Sequence, residues 1–175
     1  MTTDIGLPRP RVYAKQTFFK LLLAGYASDV KPERVPRFEG DPGTKRNTWK
    51  GDQKWHGIDE WRTCRLGDGS NGTTSIYYGS DLIWEMQYGG SYPDEAIPFL
   101  REALHVNYSA SIWLGGRGPE LYENETYRYR NKCTAGENFD EFNGVEYIEK
   151  MVNEEWVLLG KHAYRGGFLF PDGWC

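Results

Sequence analysis

The sequence predicts an α+β fold: a twisted antiparallel sheet with an N-terminal helix and one mid-chain helix packed on it. Three observations carry this. Residues 72–90 (GTTSIYYGSDLIWEMQYGG) hold two strand-forming runs joined by Gly79-Ser80-Asp81, the chemistry of a hairpin turn. On extended backbone Leu82, Trp84, Met86 and Tyr88 share one face, and Ile83, Glu85 and Gln87 the other. Residues 144–167 echo that stretch: Gly72 aligns with Gly144, Ile76 with Ile148, Tyr88 with Tyr164, and both end on Gly-Gly. The echo points to a duplicated strand–hairpin unit, with copies at about 56–105 and 120–167. Strands that follow one another with few helices between them favour antiparallel pairing.

In chain order, residues 1–12 carry Pro8 and Pro10 with little periodicity and read as a loose arm. A helix is expected over 13–27, where Phe19, Leu22, Leu23 and Tyr26 fall on one stripe and Lys15, Gln16 and Lys20 lie off it. Residues 28–55 hold three prolines and three glycines and read as a long irregular loop, either a connector or a lid. Residues 61–66 read as a strand and 67–72 as a turn. Asp94 and Glu95 suit the start of a second helix running to about His105, with Ala96, Phe99, Leu100, Ala103 and Leu104 on its buried stripe. Residues 113–119 form a Gly-rich crossing. Tyr127 and Tyr129 alternate with Arg128 and Arg130 as on a half-exposed strand. The chain of 175 residues has the size of a single domain.

Composition narrows the function classes. Aromatic residues make up 15% of the chain, with seven Trp and twelve Tyr, enough to line a small-molecule pocket as well as a core. A net charge of −4 argues against a general nucleic-acid surface. Cys64, Cys133 and Cys175 are odd in number and far apart, which is neither a disulfide framework nor a zinc pattern, so a cytoplasmic setting is expected. No apolar run has the length of a membrane span.

Three residues are candidates for acid–base chemistry: His56, near Asp59 and Glu60 in sequence; His162, on the last expected strand; and Glu85, between Trp84 and Met86. Each has a plainer reading as a surface or strand residue. Trp61, Trp84, Tyr88, Trp113, Tyr129 and Tyr164 are the expected walls of a ligand cleft, with Arg128 as a partner for a carboxylate. Residues 115–118 (GGRG) lack the spacing of a phosphate-binding fingerprint, and no His/Cys cluster has metal-ligand spacing. No cofactor or metal is expected, and a homodimer is an allowed assembly.

The segments FFKLLLAGYA, WEMQYGG, FLREAL, RGPELYENETYRYRN, FNGVEYI and YRGG resemble an uncharacterised bacterial domain family whose members occur alone or behind an Xre-type helix-turn-helix. The resemblance covers roughly residues 16–168 and implies a regulator whose domain senses a small molecule. This chain differs in its expanded 28–55 loop and shows no DNA-binding segment. Two functions follow: a module binding an apolar or aromatic small molecule, or a cofactor-independent lyase, isomerase or cyclase using His and carboxylate groups in the same cleft.

Overall fold

The computed structural model describes residues 10–28, 30–51, 54–134 and 138–169. Its elements are α1 (Pro10–Ala24), β1 (Glu33–Val35), β2 (Thr44–Lys50), β3 (Trp55–Thr63), β4 (Gly69–Tyr78), β5 (Asp81–Ser91), a 3-10 turn (Asp94–Ala96), α2 (Ile97–Ser109), β6 (Leu121–Glu123), β7 (Tyr127–Cys133), β8 (Glu141–Val152) and β9 (Glu155–Phe168). The strands form one nine-stranded sheet in the order β1-β2-β3-β4-β5-β9-β8-β7-β6. Every pairing is antiparallel. Both helices pack on one face, α1 across β2, β3 and β4 and α2 beside α1 and β7. The fold is α+β, as the sequence predicts.

Two meanders, β3-β4-β5 and β7-β8-β9, meet along β5 and β9, where Tyr88 pairs with Tyr164. On either side of that pair stands a glycine: Gly72 opposite Tyr88 and Gly144 opposite Tyr164. A Cβ on Gly72 would lie 2.5 Å from the Tyr88 ring and from the Glu60 carbonyl. One on Gly144 would overlap the Tyr164 hydroxyl and lie 2.5 Å from the Lys132 carbonyl. The glycines that align in the sequence are thus the places where each tyrosine lies flat across its neighbouring strand. The β8–β9 hairpin turns through Asn153 and Glu154, both at positive φ (50° and 67°), the backbone of a tight primed turn.

Helix α2 buries what its spacing predicts, whereas of the stripe expected for α1 only Phe19 and Leu22 are buried and Leu23 and Tyr26 are half-buried. In α2, Phe99, Leu100, Ala103, Leu104, Asn107 and Tyr108 are buried, and Pro98 sits in the first turn, where no intrahelical donor is lost. Helix α1 starts and stops three residues before the expected bounds. Its described residues 10–12 belong to the helix and not to an arm, and Pro10 suits the first helical position. Ala14, Thr17, Phe18, Leu21 and Leu22 are buried along it. Phe18 meets the edges of Trp84, Trp113 and Tyr108 at centroid distances of 5.3, 5.4 and 5.9 Å. Trp84 stacks on Phe139 at 4.6 Å and donates its Nε1–H to the Phe139 carbonyl at 2.9 Å. Such rings contribute both area and directional packing.

Residues 28–55 are not the irregular loop expected. They hold β1, β2 and the first residue of β3. Strand β2 (TKRNTWK) escapes a hydrophobic pattern because its alternation is written in polar side chains. Arg46 pairs with Glu60 at 2.6 Å on one face. On the other, Lys45 lies over Trp61 and Lys20 of α1 over Trp49, at 5.9 and 5.3 Å.

The close approach at the tyrosine pair yields a test. Gly144→Ala is expected to lower stability by about 1–3 kcal/mol through overpacking, read from urea unfolding. Gly67→Ala, whose Cβ would meet nothing within 4 Å, leaves the midpoint nearly unchanged.

Candidate functional site

Residues 113–118 (WLGGRG) do not cross the surface. Trp113, Gly115, Gly116, Arg117 and Gly118 are all buried between the sheet and the helices. Two glycines make room for the sheet: a Cβ on Gly116 would overlap the Tyr164 hydroxyl, and one on Gly118 the Tyr129 hydroxyl. Asn107 of α2 donates to the Arg117 carbonyl at 3.4 Å, and Asn131 of β7 to the Gly118 carbonyl at 3.2 Å. The segment is pinned from both layers, and it delivers the Arg117 side chain to the middle of the helix-covered face.

Arg117 is 4% exposed and Glu146 of β8 is fully buried. Their Nη1 and Oε1 lie 3.4 Å apart, while Oε2 of Glu146 accepts the Tyr129 hydroxyl at 2.8 Å. The guanidinium also lies over the Tyr88 and Tyr26 rings, at 4.6 and 5.5 Å. Burial works most strongly against the Arg117 charge, but the Glu146 carboxylate and the phenol groups of Tyr108, Tyr26 and Tyr88 together outweigh it and hold the guanidinium's pKa well above its usual value. Asp59 of β3, 1% exposed, accepts from Thr74 at 2.8 Å and from the Tyr88 hydroxyl at 3.0 Å. Burial raises its pKa, and the Thr74 bond, Arg117 and the Tyr88 bond partly oppose that.

His162 of β9 completes the cluster. Its Nδ1 lies 3.4 Å from Arg117 Nη1, its Nε2 lies 3.2 Å from the Ser70 hydroxyl, and its ring stacks on Tyr92 at 4.4 Å. A guanidinium can only donate, so Nδ1 is the acceptor and Nε2 carries the proton towards Ser70. Burial, then the Arg117 charge, push the His162 pKa down to about 3. The imidazole is therefore neutral at pH 7. Burial, followed by the Glu146 charge, raises Tyr92 and Tyr129 well above the ordinary phenol range. The open space here is a cavity of about 10 Å³, bordered by Tyr26, Asp59, Thr74, Tyr88, Tyr108 and Arg117. That is room for about one water.

Among the described residues, no helix packs on the opposite face of the sheet. A trough of about 770 Å³ runs across it, with Arg62, Asn71, Thr73, Gln87, Asn143 and Arg165 among its lining residues. Cross-strand partners Gly89 and Ala163 both lie along it. A second hollow of about 820 Å³ continues it towards Glu85 and Asp140 and shares Gln87, Asn143 and Arg165. Among the described residues, no three His, Cys, Asp or Glu side chains come together as a metal site.

The expected acid–base residues are divided between the faces. His162 lies in the buried cluster. His56 lies on the other face, stacked on Tyr77 at 5.0 Å, and Glu85 lies there too, bonded to Gln87 at 3.1 Å and beside Ser75 at 3.5 Å. They do not form one site, because His56 alternates with Trp55 and Gly57, which face the helices. Of the expected cleft walls, Trp84, Trp113 and Tyr129 are buried in the helix-side aromatic clusters. Trp61, Tyr88 and Tyr164 border the trough, but their rings point to the helix side, towards Tyr26, Asp59 and Asn131 respectively. Arg128 is engaged elsewhere, with Glu123 at 2.7 Å and the Trp156 ring at 4.2 Å.

A family described as a domain of unknown function (DUF5680) matches residues 68–169, more than half of the chain. The chain belongs to the DUF5680 family. The matched segment contains the hairpins β4–β5 and β8–β9, α2, the buried 113–118 segment, and with them Arg117, Glu146 and His162. Asp59 and the strands β1 to β3 lie outside it. Comparisons with curated proteins and with solved structures found no match. No helix among the described residues is long and apolar enough to cross a membrane. Arg117 and Glu146 were not marked from the sequence of this DUF5680 chain. The signal was a lone arginine between glycines in an otherwise apolar run.

Two measurements follow for the cluster. Arg117→Met alone leaves a buried carboxylate unpaired and is expected to cost about 3–5 kcal/mol. Adding Glu146→Gln, which still accepts from Tyr129, recovers more than half of that loss in a double-mutant cycle. The low His162 pKa makes the fold acid-sensitive. The unfolded chain takes up this proton as pH falls through about 6.5, whereas the folded chain does not until about 3. Stability from His162 is thus complete above 6.5 and lost progressively towards 3. Asp59, with its raised pKa, has the opposite sign and cancels when wild type is compared with His162→Gln. Between pH 7 and 4 the wild type should lose about 3 kcal/mol more than the variant.

Proposed function

We propose that this DUF5680 domain is a small-molecule-binding module whose ligand lies in the trough on the helix-free face. The observation that supports the reading is the contrast between the two faces. Around Arg117 the helix-covered face leaves a cavity with room for about one water, while the open face offers a concavity of about 770 Å³, within the size range of ligand sites. The buried aromatic clusters are compatible with a cleft, but their rings are engaged with one another and with the helices. The trough presents amide, hydroxyl and guanidinium groups from Asn71, Thr73, Gln87, Asn143, Arg62 and Arg165. A ligand rich in hydrogen-bonding groups suits it better than the apolar or aromatic one expected from composition. A sensing role also fits the fusions to helix-turn-helix regulators that the sequence resemblance implies.

Ala163→Trp, an exposed residue beside Gly89, would fill the trough without touching the helix side. In a thermal-shift screen of polar metabolites, a true ligand at about 100 times its Kd should raise Tm by about 5–10 °C. The Ala163→Trp variant should lose that shift while keeping its own Tm. A ligand whose shift survives in the variant would remove the trough from the proposal.

An acid–base enzyme is the second reading, favoured by the meeting of His162, Arg117, Glu146 and Asp59 in one cluster. It needs an opening of the sealed face that admits substrate. His162→Gln separates the two: on the binding reading it leaves ligand affinity within about twofold, since His162 faces away from the trough.

A further inference from the structure

Beyond the trough, a separate hollow of about 640 Å³ lies at its β3 end, lined by Arg34, Asp41, Pro42, Gly43, Arg62, Thr63 and Arg65. Three guanidinium groups face one carboxylate there. Arg34 donates only to the Pro42 carbonyl at 3.2 Å, and Arg65 has no ion-pair partner among the described residues. Asp41 is largely spent on backbone: its two oxygens accept the Arg37 and Gly43 amides at 2.9 and 3.1 Å, and it lies 3.9 Å from Arg62 Nη2. Arg62 is held by its Nε to Thr44 at 2.8 Å, which leaves Nη2 buried without a hydrogen-bond acceptor. A concave site with surplus like charge and an unused guanidinium N–H is complementary to an oxyanion, which accepts several such bonds at once. We infer that Arg34, Arg62 and Arg65 form a binding site for a phosphate or carboxylate group. Arg62 lines both this hollow and the trough, so an anionic end seated here would leave the body of the same ligand in the trough.

The test uses the full chain at low salt, titrated separately with inorganic phosphate and with succinate and followed by NMR. At least one should bind with a Kd of the order of 1 mM. The double variant Arg34→Gln/Arg65→Gln, altered at two exposed residues, should weaken it at least tenfold. Arg128→Gln, which removes one positive charge on β7 outside the hollow, should leave it unchanged. Saturation by phosphate alone assigns a phosphoryl group, and saturation by succinate assigns a carboxylate. Binding of neither, or equal weakening by Arg128→Gln, overturns the inference. Anion binding that persists in Ala163→Trp keeps this site distinct from the trough, so failure of one is not read as failure of the other.

Discussion

A guanidinium shut away from water must keep a counter-charge and find acceptors or rings for its remaining surface. Arg117 meets that requirement by gathering five elements around itself. Glu146 comes from β8, His162 from β9, Tyr88 from β5, Tyr108 from α2 and Tyr26 from the segment after α1. The segment that carries Arg117 has to lie within reach of the sheet, which explains its small residues and the two asparagines that hold its carbonyls. The helices in turn are spaced to leave that segment room. Much of the helix-side architecture is therefore the housing of a single charge.

The two faces of the sheet divide the chemistry between them. Every titratable group in the helix-side cluster is already committed to a neighbour, and the neutral imidazole is locked in one tautomer by a donor that cannot accept. Glu146 Oε1 is the exception in hydrogen bonding: it accepts none and is held by the Arg117 charge 3.4 Å away. The other face holds side chains that are polar and only partly engaged. Arg165 donates to Gln87 at 3.3 Å and has no ion-pair partner among the described residues. The groups that still have bonds to make lie on the face where we propose that the ligand binds.

The hairpins and α2 were legible because their apolar periodicities are clean: Trp84, Met86 and Tyr88 at every second position, and Phe99, Leu100, Ala103 and Leu104 at helical spacing. Strand β2 was not, since Lys45, Arg46 and Asn47 are placed by pairing with Trp61, Glu60 and Asp59 of β3 and not by an apolar alternation. The site was harder still. His162 was marked as a histidine, but its partners lie 45 and 16 residues away in Arg117 and Glu146. No local pattern connects them. His56 is separated from His162 for a simpler reason, the parity of β3, which needed only the knowledge that Asp59 and Trp61 face inward.

Strand β9 follows every other strand in the chain and yet lies in the interior of the sheet, between β5 and β8. It is the clasp that joins the two meanders. During synthesis the first meander must wait with β5 unpaired on one side until nearly the whole domain has left the ribosome. The two outer margins of the finished sheet are blunted by strands of only three residues, β1 and β6, which limits templating of other chains once folding is complete. The nascent chain has no such protection along β5. A chaperone that shields β5 until β9 arrives would act at the moment when that edge is open.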